Sequence, residues 1–381
     1  MKPQYPTSNL EIDADKVRAN VGVIREWIGL DTRLMAVVKA NAYGHGANVM
    51  GQVLDPLVDM MAVATVDEAI ELRAAKVTSP ILVMGVPTAE TAVSYVTYDI
   101  TATISDLSHF SILMDGTRYH LNLDTGMHRL GIRPEDWASA RQQAILNSRL
   151  RCGGVYTHYA MADEADHPGV PSQYSLFDSA MEYFDEIPLK YISNGAASLS
   201  GQAPMGSMVR TGNPFWGISP IPPWKQTPDV LAIVQRLQPT TIWVSEVVQQ
   251  RPISAGDTVS YGWVWTVPED GVILTIPVGY ADGLPRNLPP GESWVGVQTD
   301  GGWIQCSLAG RVTMDYVLVF SPTKVPPFTK VHLFGGQGMA AWEMARMAET
   351  IPYELYTRWS ERVSREVFHL RDASIYRNDI P

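Results

Sequence analysis

Between Leu34 and Gly212, eight short apolar, β-prone runs alternate with helix-like stretches, and this rhythm restricts the fold more than any other feature of the 381-residue chain. The runs are LMAVVKA from Leu34, MAVAT from Met61, ILVMG from Ile81, TATIS from Thr101, YHLNLD from Tyr119, GGVYTHY from Gly153, LKYISN from Leu189 and MVRTG from Met208. Short buried strands that alternate with amphipathic helices make a parallel sheet. The stretch VDEAIELRAA shows the helical half of the pattern: Val66, Ala69, Ile70 and Ala74 fall on one face, and acids occupy the first turn. Eight strands with helical returns fit a closed (β/α)8 barrel of the TIM type, and an open doubly wound sheet is the alternative.

Past Gly217 the texture changes. PIPPWKQTPD (220–229) reads as a Pro-rich linker, after which helical periodicity largely stops. LQPTTIWVSEVVQ, GVILTIPVGYA, WIQCSLAGRVTMDYVLVF and KVHLFGG alternate apolar and polar residues between Gly, Pro and Asp turns, the pattern of an all-β domain. One late helical piece is expected near AAWEMARMAET. The chain is therefore expected to be α/β, with an N-terminal strand at 1–11 that is free to pack on the β domain, a barrel at 12–229 and a C-terminal β domain at 230–381.

A formal net charge of −11 argues against a general nucleic-acid binder, which needs a basic face. No apolar run reaches the roughly 20 residues that span a bilayer. MKPQYPTSNLEIDADKV has no apolar stretch after Lys2, so no secretory signal is expected, and two cysteines, Cys152 and Cys306, cannot build a disulfide framework. These features predict a soluble, acidic, cytoplasmic enzyme. Asp163, Glu164, Asp166 and His167 have the residue types of a metal site, but a solvated loop after the sixth strand is the better reading, and no metal is expected.

Polar groups gather where the predicted strands end. Lys39 follows the first run, Asp124-Thr125-Gly126-Met127-His128-Arg129 the fifth, and Thr157-His158-Tyr159 the sixth; Ser193-Asn194-Gly195 closes the seventh and Arg210-Thr211-Gly212 the eighth. Barrel enzymes build their active sites at this rim, so the groups converge on one mouth if the fold closes. A lysine there has two readings: an ammonium pointing into solvent, or a desolvated amine whose lowered pKa makes it a nucleophile toward carbonyls. His158 alone also reads as a satisfied half-buried histidine, and Arg129 and Arg210 as surface pairs. The SNGAAS and RTGNP turns have the makings of a phosphate site, though ordinary turns look the same.

Five segments in one order are more specific than that argument. AVVKANAYGHGA (36–47), LDTGMHRLGI (123–132), VSYG (259–262), IPVGYADG (276–283) and GRVTMD (310–315) resemble those of the alanine racemase family, a likeness that runs along nearly the whole chain to PYE at 352–354. The resemblance implies a pyridoxal 5'-phosphate (PLP) enzyme, a barrel with a C-terminal β domain, and a head-to-tail homodimer whose active sites each combine one protomer's barrel with the other's β domain. It implies alanine as substrate and D-alanine for cell-wall peptidoglycan as product.

Carried over position by position, Lys39 resembles the lysine that holds PLP and serves as one of two bases, and Tyr261 the second base, supplied by the partner from the opposite face. Tyr43 and Tyr353 match phosphate-contacting tyrosines, and Asn194, Gly195, Gly212 and Asn213 fall on the phosphate turns. His158 matches the residue that backs the cofactor and bonds the catalytic tyrosine, Arg210 the arginine facing the pyridine nitrogen, and Arg129 the arginine reaching the phenolic oxygen. Met314 from the partner would meet the substrate carboxylate, Tyr280 would narrow the entrance, and Arg286, Arg311 and Ile351 match positions of the entry corridor. Inverting Cα needs a base on each face. A phenol of pKa ~10 needs cations to serve as one, and Arg210 and His158 are expected to supply that field. An arginine against the ring nitrogen leaves it unprotonated, which weakens the electron sink and suppresses transamination.

Three positions depart from the family. Asn122 stands where many members have a lysine modified by carbon dioxide that steadies Arg129; a neutral amide cannot do so, and a chloride beside Asn122 and Arg129 is the expected substitute. Gly195 replaces a serine that contacts the phosphate, and Asn213-Pro214 replaces an apolar pair. Rival readings are a broad-specificity amino-acid racemase, a decarboxylase of basic amino acids, which would need a partner-supplied cysteine motif, and a noncatalytic PLP-binding protein, which has no use for Tyr261.

Overall fold

The first element is strand β1 (Asn9–Asp13), followed by the helix Ala14–Ile28. The computed structural model describes residues 7–29, 31–164, 166–201 and 206–370, so the ends of the expected terminal segments, 1–6 and 371–381, lie outside the described residues. Eight strands come next: β2 (Arg33–Val37), β3 (Met60–Val63), β4 (Ile81–Val83), β5 (Thr101–Ile104), β6 (Arg118–Asn122), β7 (Arg151–Tyr156), β8 (Leu189–Tyr191) and β9 (Met208–Thr211). Each overlaps one of the eight apolar runs, with β2, β3, β6 and β7 starting one or two residues ahead of theirs. They pair in parallel in the order β8-β7-β6-β5-β4-β3-β2-β9. Two hydrogen bonds then return β9 to β8, Arg210 N to the Ser193 carbonyl at 3.0 Å and Ser207 N to the Lys190 carbonyl at 2.9 Å. The sheet closes on itself, which excludes the open doubly wound alternative. Closure also explains the unbroken apolar runs, because β3, β4 and β5 are buried at every residue.

Two helical details differ from expectation. In the helix Val66–Ala74 the buried residues are Val66, Ala69 and Leu72, while Ala74 is exposed. Three-residue steps carry the contact stripe to Leu72, and the helix ends before Ala74 can reach the sheet. PIPPWKQTPD is also more than a linker, since its last residues open the helix Pro228–Val234. Thr227 caps that helix by accepting from Val230 N, with Pro228 in the first turn, so Thr-Pro-Asp is a helix start rather than a spacer.

The second set of strands is β10 (Thr241–Glu246), β11 (Gln249–Ile253), β12 (Thr258–Val259), β13 (Trp265–Thr266), β14 (Gly271–Ile276), β15 (Trp294–Thr299), β16 (Gly302–Ser307), β17 (Val317–Ser321), β18 (Lys330–Phe334) and β19 (Ser364–Phe368). A six-stranded sheet runs β16-β15-β18-β10-β1-β19, beside the three-stranded β11-β14-β17 and the pair β12-β13. β1 lies antiparallel to β10 and parallel to β19, so the N-terminal strand is a member of the β domain. Two late helices occur instead of one, Ala341–Met347 and Pro352–Thr357; the second is too short to show periodicity in sequence. The chain divides into two compact units: residues up to Asp15 with Tyr43–His45 and Pro239–Leu370, and Lys16–Ala42 with Gly46–Gln238. No helix among the described residues is long and apolar enough to cross a membrane.

Candidate active site

Lys39 stands two residues beyond β2, at the start of a turn that no ordinary helix could make. Ala40, Asn41, Ala42 and Tyr43 all have φ between 51° and 55°, a left-handed course that costs non-glycine residues energy at each step. The surrounding bonds hold it in place. Ala47 N donates to Asn41 Oδ1 at 2.7 Å, and Ala40 N donates to Glu68 Oε1 at 2.6 Å. The other oxygen of Glu68 accepts from Ala64 N and Thr65 N, while Thr65 Oγ1 accepts from Glu68 N, a reciprocal cap on the helix Val66–Ala74. One carboxylate therefore ties the lysine turn to the next barrel helix. Glu68 was not among the predicted site residues, although the Thr65-x-x-Glu68 spacing is its signal. Burial, then the nearby Arg129 cation, lower the Lys39 pKa, with Glu68 pulling the other way. Loss of the proton is easier there than on a solvated lysine, and the solvent-pointing reading loses ground.

Across the barrel mouth, Arg210 on β9 is 3% exposed and has no carboxylate partner among the described residues. Its guanidinium sits 5.1 Å from the ring centres of both Tyr156 and Tyr191, phenols that burial keeps protonated. Nη2 donates to the Thr157 carbonyl at 2.7 Å and meets His158 Nδ1 at 3.3 Å. A guanidinium only donates, so Nδ1 accepts and the imidazole proton sits on Nε2. The Asn194 amide is oriented by Ala197 N donating to Oδ1, so its Nδ2 donates to the Tyr159 carbonyl at 3.1 Å. His158 Nε2 lies 3.4 Å from that same Asn194 Nδ2, so the second ring nitrogen faces an amide donor. Burial, then Arg210, Arg129 and Lys39, push the His158 pKa down to about 3. The imidazole is neutral, which corrects the expectation that it adds positive charge; the cations around it, Arg210 first and then Arg129 and Lys39, supply the field.

That neutrality has a stability consequence. His120, in the barrel, and His332, in the β domain, are likewise depressed to about 4 by burial. Each binds a proton more weakly folded than unfolded. Their contribution is intact above the unfolded value near ~6.5 and falls away as pH drops toward the folded values. Thermal melts from pH 7 to pH 4 are expected to show a declining Tm, with each such histidine contributing about 1.4 kcal/mol per pH unit.

Arg129 and Asn122 sit at the end of β6 and in the loop beyond. Asn122 is buried, while Arg129 is exposed and forms no ion pair or hydrogen bond with another described residue. The turns after β8 and β9 carry Asn194, Gly195, Gly212 and Asn213. Within them, Ser193 Oγ, Thr211 Oγ1 and both amide atoms of Asn213 are buried without a partner, as is Arg210 Nη1.

The β unit holds the remaining predicted residues. Tyr43 and Tyr353 lie together, with ring centres 5.7 Å apart and a 56° tilt. Gly44 permits this, because a Cβ there would meet the Tyr356 carbonyl oxygen at 2.2 Å and its φ is +81°. Tyr261 is 70% exposed on a strained turn in which Ser260, Gly262 and Trp263 have positive φ. Ser260 Oγ fastens that turn to the Arg311 carbonyl at 2.9 Å. A cavity of about 770 Å³ opens beside it, lined by Tyr261, Trp263, Thr313 and Tyr316. Tyr280 N donates to the Thr313 carbonyl and Ala281 N to the Met314 carbonyl, which brings Tyr280 and Met314 onto adjoining turns. Tyr261, Trp263, Tyr280, Tyr316 and Met314 are all exposed, a group of large apolar side chains of the kind that marks an interaction surface. Arg311 lies against the Tyr261 turn, while Ile351 is exposed at the start of the helix Pro352–Thr357.

Fold and rim define a (β/α)8-barrel enzyme with an amine and a guanidinium at its mouth, joined to a β domain. Residues 12–220 match the family model for the alanine racemase N-terminal domain, and residues 240–367 the model for its C-terminal domain. The chain belongs to the alanine racemase family. An alanine racemase from Streptococcus pneumoniae is 33% identical over 96% of this chain and 99% of its own, and one from Streptococcus mutans 33% over 95% and 96%. The solved alanine racemase of E. faecalis is similar with a TM-score of 0.88 and 30% identity, covering 96% of this chain and 100% of that one. The Bacillus anthracis enzyme with bound L-Ala-P has a TM-score of 0.85 and 32% identity, with 97% of each chain covered.

Proposed function

We propose that this protein interconverts L- and D-alanine with PLP in the barrel mouth, in the cytoplasm, and supplies D-alanine for peptidoglycan. The observation that carries this reading is the buried Arg210, without a carboxylate and with Nη1 unused, at the same mouth as the desolvated Lys39 and the neutral His158. The residues present fit the cofactor: a planar anionic ring calls for an amine, a cationic donor and neutral hydrogen-bond donors, and the barrel offers all three. Lys39 would hold its carbonyl carbon, Arg210 Nη1 its ring nitrogen, Arg129 its phenolic oxygen, and Tyr43, Tyr353, Asn194, Gly195, Gly212 and Asn213 its phosphate. Bound PLP supplies a conjugated system that accepts the electron pair left when the Cα–H bond breaks.

The protein's own groups do the rest. Lys39 Nζ takes or returns a proton on one face of Cα, and its lowered pKa suits it to both tasks. Tyr261 Oη, from a partner protomer, serves the other face, with His158 as the residue that would orient it. Arg210 keeps the ring nitrogen unprotonated, which limits side reactions. Met314, from a partner protomer, and Arg129 meet the substrate carboxylate, and Tyr280 with Arg286, Arg311 and Ile351 narrows the approach. The exposed surface around Tyr261 supports the homodimer, since association would cover it.

Incubation with alanine in heavy water tests the reading. Deuterium should enter Cα as the enantiomer ratio approaches unity, whereas a PLP carrier without catalysis leaves Cα protonated. The neutral Asn122, with Arg129 forming no ion pair among the described residues, favours a bound chloride there; anomalous diffraction from a bromide-soaked crystal should reveal a halide, and a carbamate or plain water would contradict it. A broad-specificity racemase is the second reading, favoured by that neutral Asn122, and assays with serine, lysine and arginine decide it. The decarboxylase alternative is disfavoured by Cys306, which is buried in β16 with its thiol pushed up to about 11 by burial.

A further inference from the structure

Gly195 lacks the side chain that would carry a hydroxyl into the phosphate turn, and the space is already taken. A Cβ built on Gly195 would lie 2.7 Å from Thr211 Oγ1, 3.5 Å from Thr211 Cβ and 3.6 Å from Pro220 Cγ. Thr211 is the last residue of β9 and is 4% exposed, and its Oγ1 is buried with no hydrogen-bond partner. β9 alternates its side chains, so Arg210 serves the ring end of the mouth while Thr211 faces the turn that begins with Gly195. A buried hydroxyl that bonds to nothing is costly, and a threonine kept for packing alone would be replaced by valine without loss. Neither SNGAAS nor RTGNP contains an acid, so an anion rich in acceptor oxygens meets no repulsion there. Ser193 Oγ and the Asn213 amide are likewise buried without a partner, but a Cβ at Gly195 would meet Thr211 Oγ1 first.

We propose that Thr211 Oγ1 takes over the hydroxyl hydrogen bond absent at Gly195 and donates it to the phosphate of PLP, so that residues 195 and 211 share one hydroxyl between them. The inference rests on PLP occupying the barrel mouth. It also explains the pairing: a serine at 195 and a threonine at 211 would collide, so each residue suits the other.

Apo-protein titrated with PLP and, separately, with pyridoxal, which lacks the phosphate, tests this through affinity rather than turnover. T211V should weaken PLP about ten- to hundredfold, the range of one hydrogen bond to a charged group, and leave pyridoxal unchanged. T211S should keep wild-type affinity. G195S/T211A, which moves the hydroxyl back to 195, should recover most of what T211A loses, while G195S alone should bind worse than wild type because of the collision. T211V that binds PLP as tightly as wild type overturns the inference, and so does equal weakening of PLP and pyridoxal, which would mark Thr211 as a packing residue. Failure of G195S/T211A to improve on T211A overturns it as well. If the wild-type protein itself did not take up PLP, the cofactor reading would fail first, which keeps the two outcomes separate.

Discussion

K39A is expected to lose both the visible absorbance of protein-bound PLP and racemisation in either direction, by at least ~10³-fold in turnover. On the proposed reading two roles meet in one atom: Nζ would hold the cofactor and move the Cα proton on one face. Burial and the Arg129 cation hold its pKa below the ordinary lysine value. The fold should survive the change, because removing a desolvated ammonium relieves a cost rather than creating one. Absorbance spectra, turnover and Tm of the purified variant measure all three. An active, coloured K39A protein would remove Lys39 from the chemistry.

Y261F is expected to behave differently. Tyr261 is largely exposed on its own subunit and only its hydroxyl is lost, so PLP colour and Tm should match wild type. Racemisation should drop by ~10²–10⁴, the usual span for a positioned acid or base. The lysine face remains competent. The enantiomer whose Cα–H faces Lys39 should therefore still exchange with deuterium from heavy water and keep its configuration, while the other enantiomer exchanges slowly. Equal residual exchange from both enantiomers would contradict a base on each face.

The barrel is legible in sequence because its strands are buried on both faces and read as continuous apolar runs, each overlapping one of β2 to β9. Less legible are features that depend on three-dimensional neighbours. Ala74 fits the apolar periodicity of its helix but ends up exposed, and PYELYT is too short to announce itself as a helix. The rim positions are visible as polar residues that interrupt apolar runs. Their electrostatics are not: His158 is neutral because of burial and three surrounding cations, none of which is adjacent to it in sequence. Tyr156 and Tyr191, which flank Arg210, read as ordinary strand residues, and Thr211 looks like any β-prone threonine until its distance to Gly195 is known. Glu68 is the exception, since its capping spacing is in the sequence even though its bond to Ala40 is not.

The central claim is that an amine and a phenol from different protomers face one substrate carbon. Mixing K39A and Y261F subunits, each inactive alone, measures it directly. Exchange into mixed dimers brings the intact Lys39 of one chain to the intact Tyr261 of the other at one of the two sites. Random reassortment of equal amounts should then restore about a quarter of wild-type activity, rising with the fraction of mixed dimers. If subunits demonstrably exchange and activity stays at the level of the separate variants, the two groups act within one chain and the account is wrong.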